Sequence, residues 1–206
     1  RKEPYNNVHF RRAVALAISR DELNELVYYG QAELARNIVP PAIWRDTGDL
    51  SPYEFNLEKA KVELAQVDLP DGFVAEIWHM TFPRPYMPEA HRVAEYIKNQ
   101  LNKIGLELKI QPFEKAAYTE KIKDPDHPMY LLGWSADYAD PDNFYNPLLH
   151  GNSGDDLNNS FFNNAEFNDA VSRAQYESDP KMRGSLYRRA AGIYRSMIPT
   201  LPLVHV

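Results

Sequence analysis

Phe10, Ala13, Val14, Ala17 and Ile18 recur at helical spacing, with Arg11, Arg12, Ser19 and Arg20 on the other side, and predict an amphipathic helix. A second helix is expected from Asp21 to Tyr29, closing at Gly30. The Pro40-Pro41 pair then forbids continuation and marks an extended connection. Asn56 is placed to cap a third helix with Leu57, Ala60, Leu64 and Ala65 as its buried face, and Leu69-Pro-Asp-Gly72 ends that region as a turn.

From residue 73 the period changes. Phe73–Met80 reads as a strand. Ala90, Val93, Ala94, Ile97, Leu101 and Ile104 form one helical stripe ending at Gly105, and Leu106, Leu108 and Ile110 alternate with Glu107, Lys109 and Gln111. A further helix over Lys115–Lys123 leads into Met129–Trp134, whose unbroken apolarity suits a strand covered on both faces. The order β-α-β-α-β predicts an α/β fold, a small, mostly parallel sheet flanked by helices, with residues 1–206 as a single domain. The polar Gly151–Asn159 stretch reads as a solvated connector. Two more helices follow, the second carrying the stripe Met182, Leu186, Ala190, Ile193 and Met197 until Pro199 and Pro202 stop it.

Composition narrows the function classes. No window approaches the roughly eighteen consecutive apolar residues of a membrane span, so no transmembrane segment is expected in this piece. Twenty-nine acidic against twenty-three basic residues give a formal charge of −6 without a Lys/Arg stripe, which argues against a nucleic-acid partner. The absence of cysteine excludes disulfides, thiolate metal sites and a cysteine nucleophile. The start at Arg1-Lys-Glu-Pro and the stop within Leu201–Val206, which reads as a strand, give the expectation of one piece of a larger mature protein.

In a parallel α/β sheet, ligands gather beyond the carboxyl ends of the strands, where loops converge. Thr81-Phe-Pro-Arg-Pro-Tyr86 follows the first predicted strand, and Gly133-Trp-Ser-Ala-Asp-Tyr-Ala-Asp-Pro-Asp-Asn143 follows the third. Arg84 and Asp137 would then share one rim. Such a pair suits a zwitterion, Asp137 taking an ammonium and Arg84 gripping a carboxylate as a bidentate fork. A plain Arg84–Asp137 ion pair, or two unrelated solvated charges, fits the spacing equally well. Trp78, Trp134, Tyr86 and Tyr138 are candidate stacking aromatics, each with a core role as the alternative.

Other chemistries match less. Asp137, Asp140 and Asp142 lack the glycine and glutamate of a calcium loop, whose sixth and twelfth positions hold Asp142 and Leu148. Asp140-Pro141-Asp142 reads instead as a helix start, with Asp140 as cap and Pro141 at the first position. His9, His79, His91, His127, His150 and His205 show no paired metal spacing, and no nucleophile elbow, phosphate loop or dinucleotide fingerprint is present. Catalysis, a resident metal and a cofactor are therefore not expected. A glycosidase-like hydrolase using Asp137 and a second carboxylate, and a sensor module reporting ligand occupancy, are the rival classes.

Five segments carry a resemblance: Phe10-Arg-Arg-Ala-Val-Ala-Leu-Ala-Ile-Ser-Arg20, Val39-Pro-Pro41, Asn56-Leu-Glu-Lys-Ala-Lys61, Arg84-Pro-Tyr86-Met-Pro88 and the Gly133–Asn143 stretch. In this order, across most of the chain, they resemble the extracellular solute-binding proteins, family 5, of peptide ABC transporters: the dipeptide- and oligopeptide-binding proteins. The resemblance implies a periplasmic-binding-protein type II fold, with this chain as the C-terminal, second lobe of a two-lobed clamp. It implies a monomeric receptor that captures short peptides, dipeptides first, and hands them to a membrane-embedded permease. Its location would be periplasmic, or extracellular through an N-terminal lipid anchor. By the resemblance Asp137 matches the aspartate for the peptide ammonium and Arg84 the arginine for the carboxylate in dipeptide binders, with Trp134, Tyr138 and Tyr86 around them. Ser135-Ala-Asp-Tyr138 is nearer the oligopeptide binders and Arg84-Pro-Tyr86 nearer the dipeptide type. Other members take up nickel complexes, opines, sugars or glutathione.

Overall fold

Local capping sets the first helices. In a computed structural model that describes residues 2–46, 48, 50–152 and 157–206, the His9 N–H donates to Asn7 Oδ1 at 2.9 Å and opens α1 (Val8–Ala17). Ser19 caps α2 (Arg20–Tyr28) through the Glu22 N–H. Beyond the short strand β1 (Glu33–Leu34), Asn56 caps α3 (Leu57–Leu64) by accepting the Lys59 N–H at 3.0 Å. Only Ala60 of the predicted α3 face is buried; Leu57 and Leu64 are half-covered and Ala65 is exposed, because the helix ends at Leu64.

The chain packs as two compact units: 1–34, 53–133 and 203–206 form the first, 35–52 and 134–202 the second. In the first, β2 (Ala75–Met80), α4 (Ala90–Asn102), β3 (Leu108–Phe113), α5 (Lys115–Lys121) and β4 (Met129–Tyr130) follow one another. The sheet order is β3-β2-β4 and both pairings are parallel, as expected where a helix connects each strand to the next. Val93, Ala94, Ile97 and Leu101 of α4 are buried, and Gly105, at φ +82°, permits the left-handed turn into β3, the Leu106 N–H reaching back to the Leu101 carbonyl at 3.1 Å.

The third strand is shorter than the Met129–Trp134 run predicts. Pairing ends at Tyr130, with one more bond from the Leu131 N–H to the Trp78 carbonyl, because β4 is an edge strand and Leu132 is exposed. Sequence patterning also misses β1, which pairs antiparallel with β5 (Val204–His205): two residues are too few to show a period.

The second unit is helical, with α6 (Asp142–Leu149), α7 (Ala165–Tyr176) and α8 (Pro180–Met197). Phe144, Tyr145, Leu149, Phe167, Val171, Tyr187, Ala190 and Tyr194 lie in its core. The α8 stripe is rotated from its predicted position: Leu186, Tyr187, Ala190, Ala191 and Tyr194 are buried, while Met182 and Met197 are exposed. The tyrosines displace the methionines because their hydroxyls find partners, Tyr187 beside Asp140 and Arg183, Tyr194 donating to the Thr200 carbonyl at 3.0 Å. The connector expected over Gly151–Asn159 falls partly on 153–156, outside the described residues.

Candidate functional site

Within the first unit, β2 runs out at Met80 and the Thr81 N–H still donates to the Phe113 carbonyl, so Thr81–Tyr86 does lie beyond the carboxyl ends of two parallel strands. Paired main-chain bonds between Arg84 and Met87, at 3.1 and 2.9 Å, close a tight turn there. The Tyr86 carbonyl accepts the Tyr28 hydroxyl at 3.0 Å, which fastens the loop to α2. Arg84 is half-buried, with its guanidinium carbon 5.5 Å from the centre of the Tyr86 ring. Its Nε is buried without a hydrogen-bond partner, and its side chain forms no ion pair among the described residues. The guanidinium thus rests against an aromatic face with one buried donor unused.

The boundary between the units falls between Gly133 and Trp134, inside the motif itself. In the second unit Trp134 packs half-buried against the core, and its indole N–H donates to Asn143 Oδ1 at 3.2 Å. The Asp137 N–H donates to the same oxygen at 2.9 Å. Asn143 stands in the first turn of α6 and is 4 % exposed, so one buried amide folds the Trp134–Asp137 segment back onto the helix that follows it. Tyr138, 51 % exposed, donates to Asp142 Oδ2 at 3.2 Å. Its phenol is pushed up, chiefly by desolvation and further by the charges of Asp142 and Asp140, with the nearby Asn143 amide opposing the shift.

The three carboxylates of the turn have different fates. Asp140 Oδ1 accepts the Asp142 N–H at 2.9 Å, with Pro141 in helical conformation between them, so α6 starts one residue later than predicted, with Pro141 and not Asp140 at the cap position. Asp140 is also gripped by both terminal nitrogens of Arg183, each at 2.9 Å. Burial works to raise its pKa, but the Arg183 hydrogen bonds and charge and the Asp142 N–H outweigh it and hold the carboxyl below its ordinary value. Asp142 is occupied by Tyr138. Only the Asp137 carboxylate, exposed, has no hydrogen bond or ion pair among the described residues.

Of the predicted residues, Arg84 and Tyr86 are thus brought together in the first unit, and Trp134, Asp137 and Tyr138 in the second. Sequence reasoning assigns no role to Asn143, Arg183 or Gly133. Neither Asn143, one of three polar residues in α6, nor Arg183, whose partner lies 43 residues away, is singled out by the sequence.

A cleft of about 310 Å³ in the first unit is lined by His79, Thr81, Phe82, Glu89, His91 and Pro112 among others, and by none of the five predicted ligand residues. His79 donates from Nδ1 to the Met80 carbonyl at 2.9 Å, and its Nε2 faces His91 Nδ1 at 3.2 Å; burial lowers its pKa. Among the described residues no group of three His, Asp or Glu side chains is arranged to hold a metal, and no helix is long and apolar enough to cross a membrane.

A profile of the bacterial extracellular solute-binding proteins, family 5 (middle), matches residues 1–156. The dipeptide-binding protein of Escherichia coli K12 is 33 % identical over 99 % of this chain and 38 % of its own length. Heme-binding protein A of Haemophilus influenzae is likewise 33 % identical, over 99 % of this chain and 37 % of its own. Among solved structures, the ABC-transporter-associated periplasmic binding protein DppA of Helicobacter pylori, in complex with the peptide STSA, superposes with a TM-score of 0.89 at 34 % identity, over 98 % of this chain and 39 % of that one. The dipeptide binding protein of Pseudoalteromonas sp. SM9913, in complex with Met-Leu, gives 0.90 at 32 % identity, over 99 % and 40 %. This chain therefore spans well under half the length of the relatives it matches, with the α/β architecture of type II periplasmic binding proteins. From the match over residues 1–156 and these relatives together, the chain belongs to the family 5 bacterial extracellular solute-binding proteins.

Proposed function

We propose that this chain is the second lobe of a two-lobed, monomeric receptor that captures short peptides, dipeptides first, outside the cytoplasmic membrane and delivers them to an ABC permease without bond chemistry. The observation that carries the reading is a pair of opposite charges left without partners, the Arg84 guanidinium and the Asp137 carboxylate, each on a loop whose main chain is otherwise fastened. Asp137 takes the peptide ammonium and Arg84 its carboxylate, with Tyr86, Trp134 and Tyr138 shaping the surroundings. Relatives named for dipeptides, and solved complexes with STSA and Met-Leu, support peptide as the solute. Closure over the ligand desolvates both termini, so each pair becomes strong when complete and costly when half-made.

The test is calorimetric titration of the full-length receptor with a dipeptide and its N-acetyl counterpart, comparing wild type with Asp137→Ala. The free-amine peptide alone should bind, and the substitution should weaken it by about 3–5 kcal/mol, the range for breaking a buried ion pair. A loss below about tenfold, or 1.4 kcal/mol, counts against Asp137 as the ammonium site. Failure of wild type to bind either peptide points to a non-peptide solute such as a sugar or metal complex.

A further inference from the structure

We infer that Asn143 is the positioning residue of the ammonium site, acting on the ligand through Asp137 and not by touching it; this rests on the peptide reading above. The sharing of one oxygen is what singles it out. Asn143 Oδ1 receives both the Trp134 indole N–H and the Asp137 main-chain N–H, so a single side chain sets the indole and the aspartate relative to one another. Being nearly buried in the first turn of α6, Asn143 cannot swing with the turn it holds.

That helix is itself anchored, since Asp140, just before it, accepts the Asp142 N–H and is tied to α8 by Arg183. The anchoring therefore runs from α8 through Asp140 to α6, and from α6 through Asn143 to Asp137. The Asp137 carboxylate itself has no hydrogen bond or ion pair among the described residues. Its main-chain N–H, by contrast, is spent internally, so the residue presents only negative charge. An anion fixed before the ligand arrives loses less side-chain and loop entropy on binding than one that must be ordered by it. An acceptor at residue 143 is thus part of the affinity for an ammonium although it lies inside the fold.

The experiment is a double-mutant cycle in the full-length receptor, titrated with a free-amine dipeptide, with Asp137 amide hydrogen exchange measured by NMR without ligand. Asn143→Ala should remove the protection of the Asp137 amide and weaken the dipeptide by about tenfold or more. Asn143→Asp, which keeps an acceptor oxygen for both N–H groups, should retain the protection and most of the affinity. Asp137→Ala/Asn143→Ala should bind no more weakly than Asp137→Ala alone, because residues acting through one contact are not additive. Unchanged affinity in Asn143→Ala, or losses that multiply with those of Asp137→Ala, would overturn the inference. If the alanine variant does not fold, Asn143→Asp still decides the matter: loss of the dipeptide with the fold intact would also overturn it. A wild-type receptor that binds no dipeptide sinks the peptide reading and this inference with it, whereas a wild type sensitive to Asp137→Ala but not to Asn143→Ala sinks the inference alone.

Discussion

The Tyr86 ring occupies the space that a β-carbon on Gly133 would need: a carbon built there lies 2.6 Å from Tyr86 Cγ and 2.7 Å from Cε2. Two segments that each follow a strand of the parallel sheet, β2 and β4, therefore meet because one of them has no side chain at the point of contact. The same ring carries the Arg84 guanidinium on its face at 5.5 Å. The glycine of the Gly133–Asn143 motif thus bears on the arginine as well as on the turn it begins.

Gly133→Ala should destabilise the protein by about 1–3 kcal/mol, the usual cost of forcing extra volume into a packed contact. Urea denaturation checks it, and Tyr86→Ala in the same chain should recover part of the loss. A fully stable single variant would show that the ring moves aside freely.

Arg84→Ala in the full-length receptor should erase its preference for a peptide with a free carboxylate over the same peptide amidated. The expected loss for the free acid is about 2–5 kcal/mol, the range for truncating one partner of a buried charge pair. Equal binding of acid and amide by wild type would remove Arg84 from the carboxylate role.

Arg183→Met should cost about 1.5–3 kcal/mol at neutral pH, since the lost hydrogen bonds are charge-assisted and both side chains are less than a third exposed. Asp140 has its pKa depressed in the fold, so its stabilisation is present above the unfolded value of about 4 and disappears as pH falls through the native one. The stability of wild type should accordingly fall more steeply below about pH 4 than that of Arg183→Met. Parallel acid limbs in denaturation curves would contradict the pairing.

At the alkaline end, burial pushes the Tyr28 phenol up to about 12. Unfolded tyrosine ionises first, near 10, so the contribution is complete below about that value and is lost as pH rises toward about 12. Tyr96, Tyr118 and Tyr187 are raised in the same direction, mainly by burial, which steepens the decline. Tyr28→Phe should make the fall in stability between about pH 10 and 12 shallower, as followed by thermal denaturation. An unchanged slope would mean that Tyr28 is not protected from ionisation.

Much of this architecture is legible because period and capping are local. The stripe from Ala90 to Ile104, the alternation around Leu108 and the cap at Asn56 are written within a turn or two of chain, and the structure has them where the pattern predicts, whereas α6 starts one residue later than predicted, with Pro141 at its cap position. The α8 face is less legible. Hydrophobicity favours Met182 and Met197, but a tyrosine becomes a core residue once its hydroxyl is satisfied, and for Tyr187 that partner, Asp140, is supplied by another part of the chain. Likewise the two-residue strand β1 exists only through its pairing with β5.

By itself the sequence determined the α/β alternation, the parallel order implied by the crossovers, and the two loops where charge follows a strand end. Spacing left Asp137, Asp140 and Asp142 equivalent, because a carboxylate's role depends on what faces it in space and not on its neighbours in the chain. The tertiary structure separated them by bringing Arg183 to Asp140, Tyr138 to Asp142 and the Asn143 amide to the Asp137 main chain, so that of the three only the Asp137 carboxylate is left without a hydrogen bond or ion pair among the described residues.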